Sequence, residues 1–553
     1  MNTRNTVRAL PGRACAVLAL LVGGAHTVAI CGAHTVAIAH AQSDPATWYV
    51  SSGAPAGGVG SADSPFESLA RAETAAQDGD TIVVQPVAHT APALDGGIAL
   101  KPGQHLIGGG PTVLGAAAGA ALPRLTNTTG NLDGDAVRLA PGAEVRNLVI
   151  AGARRGGIYG LDAAGAVITG NDVSATNQQC GDGFMIGPFS LPPTLPLGAS
   201  APPLPDFLTL NNGWAAIMTD FDSATGDVHI DGNVVHDTAC GDGIDLRARG
   251  TSRISAQLDG NTVHHVNLGL AKLSLLAIGV QADGNARLTA ELDGNTQTEI
   301  ASPATSLLNN LADSEGVFLN PLGHAHMDVS LSHNTFRNGY GNFSANGLEY
   351  VTTSGAPESR VRVTDSDFDT VAGDIIENYN LSADGARQSL TLDRVGAHHS
   401  TFPGAALNPL VPANLGSCVV TTNFGRTAHT DLTIADSDLG DCSADGIGLV
   451  AYTPTGPEPS TAELTFDIHD TTLNGAAAHG INIINVGDTA VLHGSIARTT
   501  LAAAQAELLR TSSTDGQIGS AALNIDHTTV DGRPLTCPIT DPKVDLTGIP
   551  ATC

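Results

Sequence analysis

The tetrapeptide Leu258-Asp259-Gly260-Asn261 returns unchanged at Leu292-Asp293-Gly294-Asn295, 34 residues further along the chain. The asparagine of this tetrapeptide opens a longer repeat. Alternating polar and apolar residues follow it, then a variable stretch, and then the pattern Gly-apolar-x-apolar. Alternation of this kind is typical of β-strands. A supersecondary unit repeated at this length predicts a solenoid, in which each coil packs only on its neighbours.

The first position of the repeat is asparagine early in the chain and serine or threonine later. We assign this position to Asn147, Asn171, Asn233, Asn261, Asn295, Asn334, Ser437, Thr471, Thr499 and Thr528. The Gly-apolar segments that follow are GIYGL at Gly157, GFMI at Gly183, GIDL at Gly243, GLEY at Gly347, GIGL at Gly446 and GINI at Gly480. The five asparagines from Asn171 to Asn334 should point inward and stack at one turn, where their amides satisfy backbone groups that the turn leaves unpaired.

The N-terminal stretch carries a resemblance to a known superfamily. It contains WYVSSG from Trp48, SPFESLARAETAAQDGDTIVV from Ser64 and IALKPGQHLIGGG from Ile98. Together with the repeat, this stretch resembles the pectate-lyase-like superfamily of right-handed parallel β-helix proteins. The resemblance implies an all-β solenoid of single-chain coils with a short N-terminal capping helix and protruding loops, and it indicates a fold more than an activity.

The capping helix is predicted over residues 65–77. Ser64, Pro65 and Glu67 have the spacing of a capping box with proline at the first helical position, and Gly79-Asp80 would end the helix. Such a helix would close the open N-terminal end of the core and protect a strand edge from pairing. A second helix is considered near Leu501 to Arg510.

Residues 1–41 are predicted to be a secretory signal. Arg4, Arg8 and Arg13 precede an apolar run that ends in the small-x-small site Ala39-His40-Ala41, where we expect cleavage. The protein should therefore be secreted or held at the cell surface. We divide the rest into an N-terminal cap with the first coils (42–130), the coils of the helix (131–535) and a C-terminal tail (536–553).

The charge of the mature chain excludes some partners. The signal contains three of the 25 basic residues and no acidic residue. The mature chain therefore has 22 basic and 54 acidic residues and a net charge near −32. Nucleic acid is an unfavourable partner for such a chain. A polyanionic polysaccharide would also be repelled at long range unless cations bridge the two. No apolar run after the signal is long enough to span a bilayer, so the mature chain is not expected to insert into a membrane.

Six cysteines remain after the signal, an even number that favours disulfides in an exported protein. The segments CGDGF (180–184) and CGDGI (240–244) would place Cys180 beside Cys240 on adjacent coils. Cys418 and Cys442 lie about one coil apart, and Cys537 with Cys553 would close the tail. Three loops that protrude from the coils are predicted, at residues 187–207, which contain seven prolines, at 397–416 and at 301–322.

The coil alignment would also stack Asp182 on Asp242, with Asp245, Arg247 and Arg249 nearby. Paired carboxylates on neighbouring coils could act as acid and base on a glycosidic bond or hold calcium. The segment GDGIDL faintly resembles the aspartate motifs of polygalacturonase-type hydrolases. It lacks their adjacent Asp-Asp pair, and the nearest GHG-like segment is the distant AHGINII at 478–484, with no Arg-x-Lys partner after it. The alternative is turn chemistry beside a disulfide.

Two further groups could bind a metal. Asp220 and Asp222, with Asp227 and Asp231, could supply oxygen ligands to calcium, although a solvated acidic edge accounts for the same spacing. The histidine pairs have metal-ligand spacing but no evident third ligand, so surface or core histidines are the alternative. These histidines are His264, His265, His398 and His399, together with His324 and His326.

Two functions therefore stay open at this point. The first is a secreted β-helix protein that presents loops to a surface or matrix ligand, a polysaccharide above all, without a demonstrable catalytic site. The second is a polysaccharide lyase or glycoside hydrolase that acts near Asp182, Asp242 and Asp245. Aromatic residues make up only 4% of the chain, which limits sugar-stacking surfaces and weakens the second interpretation.

Overall fold

A computed structural model describes residues 44–87, 91–109, 122–185, 211–266, 274–300, 313–339, 344–400, 416–425, 427–453, 462–487, 489–502, 507–518, 520–536, 539–540 and 542–553. Residues Thr47–Cys553 form one compact unit. The predicted signal at residues 1–41, the proline-rich segment at 187–207 and Cys537 lie outside the described residues.

Three long sheets run through this unit. The strands of the first sheet, in spatial order, are β1 (Thr47–Val50), β2 (Thr81–Val84), β4 (His105–Gly108), β7 (Glu144–Arg146), β10 (Ala166–Thr169), β15 (Thr225–Asp231), β18 (Arg253–Asp259), β21 (Arg287–Asp293), β24 (His326–Ser332), β27 (Glu358–Thr364), β30 (Arg387–Asp393), β33 (His429–Ala435), β36 (Glu463–His469), β39 (Val491–Ala497), β42 (Ala521–Asp526) and β46 (Ala551–Thr552).

The second sheet contains β5 (Arg124–Leu125), β8 (Val149–Ala151), β11 (Asp172–Ser174), β16 (Val234–His236), β19 (Thr262–His264), β22 (Thr296–Thr298), β25 (Thr335–Gly339), β28 (Asp367–Val371), β31 (Gly396–Ser400), β34 (Asp438–Gly440), β37 (Thr472–Asn474), β40 (Thr500–Leu501), β43 (Thr529–Val530) and β44 (Arg533–Pro534).

The third sheet contains β3 (Ile98–Ala99), β6 (Val137–Arg138), β9 (Ile158–Leu161), β14 (Ile217–Phe221), β17 (Ile244–Ala248), β20 (Ser274–Ala282), β23 (Asp313–Pro321), β26 (Ser344–Thr352), β29 (Ile376–Asn380), β32 (Val419–Asn423), β35 (Ile447–Tyr452), β38 (His479–Gly487), β41 (Glu507–Ile518) and β45 (Val544–Leu546). Two strands lie off this order, β12 (Asp182–Met185) and β13 (Asn211–Gly213), which pair with each other.

The chain visits the three sheets in a fixed cycle. From β18 in the first sheet it turns at Asn261 into β19 of the second sheet, continues to β20 of the third, and returns to β21 beside β18. Described strands pair in parallel except for β12 with β13 and β43 with β44. The protein is a parallel β-helix. The sequence repeat predicted this fold, because each repeat is one coil of the helix.

The core is the interior of the coils. On the first sheet, Ile230, Leu258, Leu292, Leu331 and Val363 lie in register on five successive strands, and all are fully buried. Burying each such side chain contributes about 1.5 to 3 kcal/mol. Polar residues alternate with these along each strand and face outward, as in the buried-exposed alternation of β21. The alternation therefore fixes which side chains remain available for chemistry outside the coils.

The asparagine ladder between the first and second sheets is confirmed. Asn261 donates from its backbone N to Asn295 Oδ1 at 3.0 Å and from Nδ2 to the Ile230 carbonyl at 2.6 Å. Its own Oδ1 accepts the backbone N–H of Asn233 at 3.0 Å. Equivalent bonds join Asn171 to Asn233 and Asn295 to Asn334. Each amide thus satisfies backbone groups of two neighbouring coils inside the core.

The ladder assignment was wrong at one position and incomplete at two. Asn147 is not a member, because the residue in register is Leu148, whose backbone N donates to Asn171 Oδ1 at 3.2 Å. Ser366 continues the ladder after Asn334 and accepts the Asn334 backbone N–H at 3.1 Å. Val395 occupies the next ladder position, where its apolar side chain forms no hydrogen bond. Its backbone N donates to Ser437 Oγ at 3.1 Å.

The capping helix is shorter than predicted. It spans Leu69–Ala75, and the predicted capping box does not form. Phe66 is instead held in an extended bridge to Val50, since its backbone N donates to the Tyr49 carbonyl at 2.8 Å. The helix contacts β1 and β3, the first strands of two sheets, so its predicted place at the N-terminal end of the stack is confirmed.

The other local predictions have mixed outcomes. The second helix near Leu501 to Arg510 is wrong, because residues on both sides of 503–506 form β40 and β41. After the proline-rich segment, the next strand of the third sheet is β14. Two predicted loops overlap strands. Residues 313–321 of the loop predicted at 301–322 belong to β23, and residues 397–400 of the loop predicted at 397–416 belong to β31. Within the described residues, no helix has the length and apolar character needed to cross a membrane.

Candidate functional site

The outer face of the third sheet carries buried ionisable side chains, and the burial of such groups costs folding free energy. Ile244, Ile278, Val317, Leu348, Ile376, Val419, Ile447 and Ile481 are in register on eight successive strands. The residues two positions before them are polar on seven of the eight strands, and Leu276 is the exception. We give the name acidic row to the polar residues at this position other than Ser417, namely Asp242, Glu315, Asn346, Asp374, Asp445 and His479.

Asp242 begins the acidic row and Asp245 lies beside it, and both are 0% exposed. Asp245 is on β17, where Ile244 and Leu246 point into the core and Asp245 points outward. A Cβ at Gly279, its neighbour on β20, would lie 2.6 Å from Asp245 Oδ1. The glycine therefore leaves the space that this carboxyl group occupies.

The two carboxyl groups have different surroundings. Asp242 accepts hydrogen bonds from Asn212 Nδ2 and from the Leu276 backbone N at 2.8 Å. Asp245 receives no hydrogen bond from an N–H or hydroxyl group of the described residues, and its side-chain hydrogen-bond partner is the Asp242 carboxyl group. Burial, and then the neighbouring Asp242 carboxylate, raise the pKa of Asp245 well above its usual value, and Arg247 offsets only part of this. Asp242 and Asp245 therefore behave as an interacting pair of buried carboxyl groups.

The middle of the acidic row is also buried. Asp374 accepts the backbone N–H groups of Ser417 at 2.6 Å and Gly416 at 3.2 Å. Burial nevertheless raises the pKa of Asp374, and the charge of Asp445 raises it further. Glu377 on β29 accepts a hydrogen bond from Asn346 Nδ2. The Asp374 and Asp445 carboxyl groups thus influence each other although they lie two coils apart in the stack.

The C-terminal end of the row is more open. Asp445 Oδ1 lies 2.6 Å from His479 Nδ1, and both side chains are 17% exposed. Asn482 Nδ2 donates to Asp445 Oδ2 at 2.9 Å. His479 Nε2 lies 3.3 Å from Arg510 Nη1 and 3.4 Å from Glu507 Oε2. Five polar side chains from three neighbouring coils therefore meet at a position that solvent reaches.

An aromatic pair lies at the other end of the same face. The rings of Tyr159 and Trp214 pack edge to face with centroids 5.0 Å apart, and the Arg155 guanidinium lies 4.0 Å from the Trp214 ring. Arg155 is held there by Asp135, whose oxygens accept its hydrogen bonds at 2.7 and 2.9 Å. Both aromatic side chains are partly exposed. A chain with few aromatic residues thus places two of them beside the acidic row.

The predicted stacking of Asp182 on Asp242 is wrong. Because Ile244 is in register with Ile217, the residue level with Asp242 in the preceding coil is Ala215. Asp182 instead begins β12, which pairs antiparallel with β13, and its side chain is exposed. The GFMI segment at Gly183 is therefore not the coil strand that its resemblance to GIDL suggested, since β14 takes that place after the insertion.

The disulfides are confirmed even though this register was wrong. Cys180 is bonded to Cys240 with the Cα atoms 5.1 Å apart, and Cys418 to Cys442 with the Cα atoms 5.5 Å apart. Ala175 N bonds to the Asp237 carbonyl, so the residue level with Cys240 is Gln178. The side chains bridge this two-residue offset. Cys553 is also disulfide-bonded, and its predicted partner Cys537 is not among the described residues.

The aspartates proposed for calcium have partners from the chain itself. Asp220 Oδ1 accepts from Arg247 Nε at 3.0 Å and Arg249 Nε at 3.1 Å, and Asp222 Oδ1 accepts from Arg249 Nη1 at 3.0 Å. Asp227 and Asp231 lie on β15 of the first sheet, so the four carboxylates do not form one cluster. Calcium at Asp220 and Asp222 stays an untested prediction, in a place where two guanidinium groups already supply positive charge.

The predicted histidine sites lie on the outer surface of the coils. His264 Nδ1 and His265 Nδ1 are 2.8 Å apart, and His265 Nε2 lies 2.7 Å from Glu299. His399 contacts Asp369 at 2.7 Å and His398 lies 3.8 Å from Asp438, while His326 lies 3.5 Å from Glu358 and His324 is exposed. Across the described ranges, no three His, Cys, Asp or Glu side chains are grouped so that they could hold a metal ion.

Comparisons with known proteins assign no activity to this chain. No protein-family model matches the sequence, and no curated protein matches it either. Among solved structures, the chain is similar to the crystal structure of pectate lyase Pel9A. The match has 11% sequence identity and a TM-score of 0.24, and it covers 93% of this chain and 82% of that chain. The site therefore has to be interpreted from its own geometry.

Proposed function

We propose that this protein is an exported β-helix protein that binds a polysaccharide along the outer face of the third sheet. The observation that carries the proposal is the open end of the acidic row, where Asp445, His479, Asn482, Glu507 and Arg510 converge from three coils. Carboxylates, an imidazole, an amide and a guanidinium together offer donors and acceptors to sugar hydroxyl groups. Export is supported by the signal-like residues 1–41 and by the disulfides.

The shape and charge of the face suggest the type of ligand. Coils repeat about every 4.8 Å along the stack, so equivalent side chains form a line suited to an extended chain rather than a compact molecule. The aromatic pair Tyr159 and Trp214 supplies an apolar surface for a sugar ring at the far end of this line. The carboxylates favour a neutral or cationic polysaccharide over a polyuronate, because like charges repel.

Cleavage of the polysaccharide has less support. The structure separates Asp182 from Asp242, and it buries Asp242 and Asp245 completely. Asn212 of β13 lies against the Asp242 carboxyl group. A catalytic acid and base must reach the bond that breaks, so the lyase or hydrolase alternative requires β13 to move away first.

Affinity electrophoresis of the mature protein in gels that contain dextran, xylan, chitosan oligomers or polygalacturonate tests the proposal. We expect retardation by a neutral or cationic polymer. The variants His479→Ala and Arg510→Ala should each weaken it about fivefold or more, since each removes a polar contact. Arg498→Ala is the matched control, because Arg498 pairs with Asp470 away from this face. Equal binding by all three variants, or no retardation by any polymer, would overturn the proposal.

A further inference from the structure

The outer face of the third sheet carries apolar side chains on two of its C-terminal strands. Val450 and Tyr452 point outward from β35, and Ile484 and Val486 lie in register with them on β38. All four are only partly buried, whereas the outward residues of β36 on the first sheet are polar. We call these four residues the apolar strip, and the Phe424 ring extends it by packing edge to face on Tyr452, with centroids 5.3 Å apart. Apolar side chains grouped on an otherwise polar surface are typical of binding surfaces.

The apolar strip continues directly from the polar groups of the proposed binding face. On β38, Ile484 follows Asn482 by two residues, so the two positions lie about 7 Å apart on the same side of the strand. On β35, Gly448 separates Asp445 from Val450 and has no side chain to fill the outer face. A Cβ at Gly448 would lie 3.7 Å from Asp445 Oδ2. The two strands therefore present a polar edge, a shallow depression at the glycine and the apolar strip side by side.

The polar edge has a donor and an acceptor to offer a ligand. Arg510, in register with Asn482, is 43% exposed and uses one N–H group on His479 Nε2 at 3.3 Å. Arginine carries five N–H donors, so others remain for a ligand. Glu507 is 38% exposed, and its Oε2 accepts no hydrogen bond from the described residues. His479 Nε2 and Arg510 Nε lie 3.4 and 3.9 Å from this oxygen.

On the basis of the proposed function, we infer that this part of the face recognises the acetamido group of N-acetylated amino sugars in a polysaccharide. The group carries an N–H donor, a carbonyl acceptor and a methyl group. The N–H donates to the Glu507 carboxylate, the carbonyl accepts from the Arg510 guanidinium, and the methyl group packs on the apolar strip. Because the group is neutral, the net negative charge of the chain does not repel it.

Other common sugar substituents match these protein groups less well. A hydroxyl group has no methyl to cover the apolar strip. A free ammonium group has three donors and no acceptor, so it gives Arg510 no partner and is repelled by the guanidinium. A carboxylate is repelled by Glu507 and Asp445. The acetamido group therefore uses the donor, the acceptor and the apolar strip together.

Calorimetry with three oligosaccharides of equal length tests the inference. Each is a β-linked chain of glucose-type rings, and the three differ only in carrying an acetamido, an amino or a hydroxyl group at the second carbon. We expect the mature protein to bind the acetamido oligomer at least about tenfold more tightly than either of the others. Equally tight binding of the amino or the hydroxyl oligomer would overturn the inference and leave polysaccharide binding in place. Absence of binding to all three would also overturn it, and the gels with dextran and xylan then decide whether polysaccharide binding stands.

Matched variants locate the effect on this face. Val450→Ser should weaken binding of the acetamido oligomer about fivefold or more and change that of the hydroxyl oligomer less than about twofold, because it removes the methyl contact alone. Val491→Ser makes the same change at a partly buried position of the first sheet and should alter neither. Glu507→Ala should also weaken acetamido binding about fivefold or more, whereas Glu463→Ala, on the first sheet with the same 38% exposure, should not. Equal losses within either matched pair would overturn the inference.

Discussion

Asp445 and His479 occupy the same place on adjacent coils, and their side chains are joined by a 2.6 Å contact between Oδ1 and Nδ1. Asp445 also accepts the Asn482 amide at 2.9 Å. Replacing Asp445 by alanine removes the acceptor of both groups in a largely buried place. We expect Asp445→Ala to lower the free energy of unfolding by about 1 to 3 kcal/mol. Asp438→Ala is the control on the same coil, because Asp438 is 65% exposed. It should change stability by less than about 0.5 kcal/mol, and equal effects in urea unfolding would contradict the role of the pair.

The asparagine ladder predicts a cost for any apolar replacement within it. Asn261→Leu would leave the Ile230 carbonyl and the Asn233 backbone N–H without their partners inside the core. We expect a loss of about 1 to 3 kcal/mol in the free energy of unfolding. Asn474→Leu on the exposed side of β37 is the matched control and should be close to neutral. A near-zero effect at Asn261 would mean that water replaces the lost bonds.

The two disulfides should differ in their contribution to stability. Cys180 and Cys240 close a loop of 60 residues, whereas Cys418 and Cys442 close one of 24. In the chain-entropy account these loops correspond to about 4.3 and 3.5 kcal/mol. The double serine variant at the first pair should therefore melt lower than the double serine variant at the second. Peptide mapping without reductant should recover both linked fragments, and free thiols at either pair would contradict the structure.

The opposite environments of two aspartates predict opposite pH effects. Burial raises the pKa of Asp374, so its stabilising contribution is full below the usual aspartate pKa and is lost as the pH rises through the folded value. Asp374→Asn does not titrate. Its melting temperature relative to the parent protein should therefore increase as the pH is raised from about 4 to about 8.

The control for this prediction is Asp365→Asn. The Arg394 guanidinium lowers the pKa of Asp365 through a hydrogen bond at 2.7 Å. The stabilising contribution of Asp365 is therefore present at neutral pH and is lost in acid. The melting temperature of Asp365→Asn should fall below that of the parent at neutral pH and approach it in acid. Parallel pH profiles for the two variants would contradict both assignments.

Gly279 predicts a coupling with Asp245 that a double-mutant cycle can measure. Gly279→Ala would bring a methyl group within 2.6 Å of Asp245 Oδ1, so we expect a loss of about 1 to 3 kcal/mol. In the background of Asp245→Ala the same substitution should cost less, because only the contact with Leu276 Cδ1 at 2.8 Å then remains. Additive effects of the two changes would show that the carboxyl group does not fill this space.

The sequence predicted the structure best at positions where the same residue type makes the same contacts in successive coils. Asn171, Asn233 and Asn261 face the same turn, so their repetition alone indicated an inward ladder. Val395 shows the limit of this reasoning, because an apolar residue can hold a ladder place when Ser437 of the next coil supplies the hydrogen bond. Ser366 was missed for the related reason that no neighbouring motif marked its coil.

The candidate site was predicted only in part. Asp242 and Asp245 were singled out, but their assumed partner Asp182 lies in a copy of the motif that forms an antiparallel pair instead of a coil strand. A repeated motif indicates local similarity, but it does not indicate which copy forms the coil strand after an insertion. The rest of the acidic row had a signal that was overlooked, since Asp445 and His479 directly precede the repeat glycine, as Asp242 does.

The Cys180–Cys240 bond also determines how the molecule yields to force. Pulling the two termini apart would peel coils from the stack and extend the released chain, but the 60 residues between the two sulfurs cannot extend while the bond holds. They correspond to about 200 Å of contour length at full extension. Strands β12 to β16 lie within that span. In a protein anchored at both ends, this portion would therefore bear no tension until the disulfide is reduced.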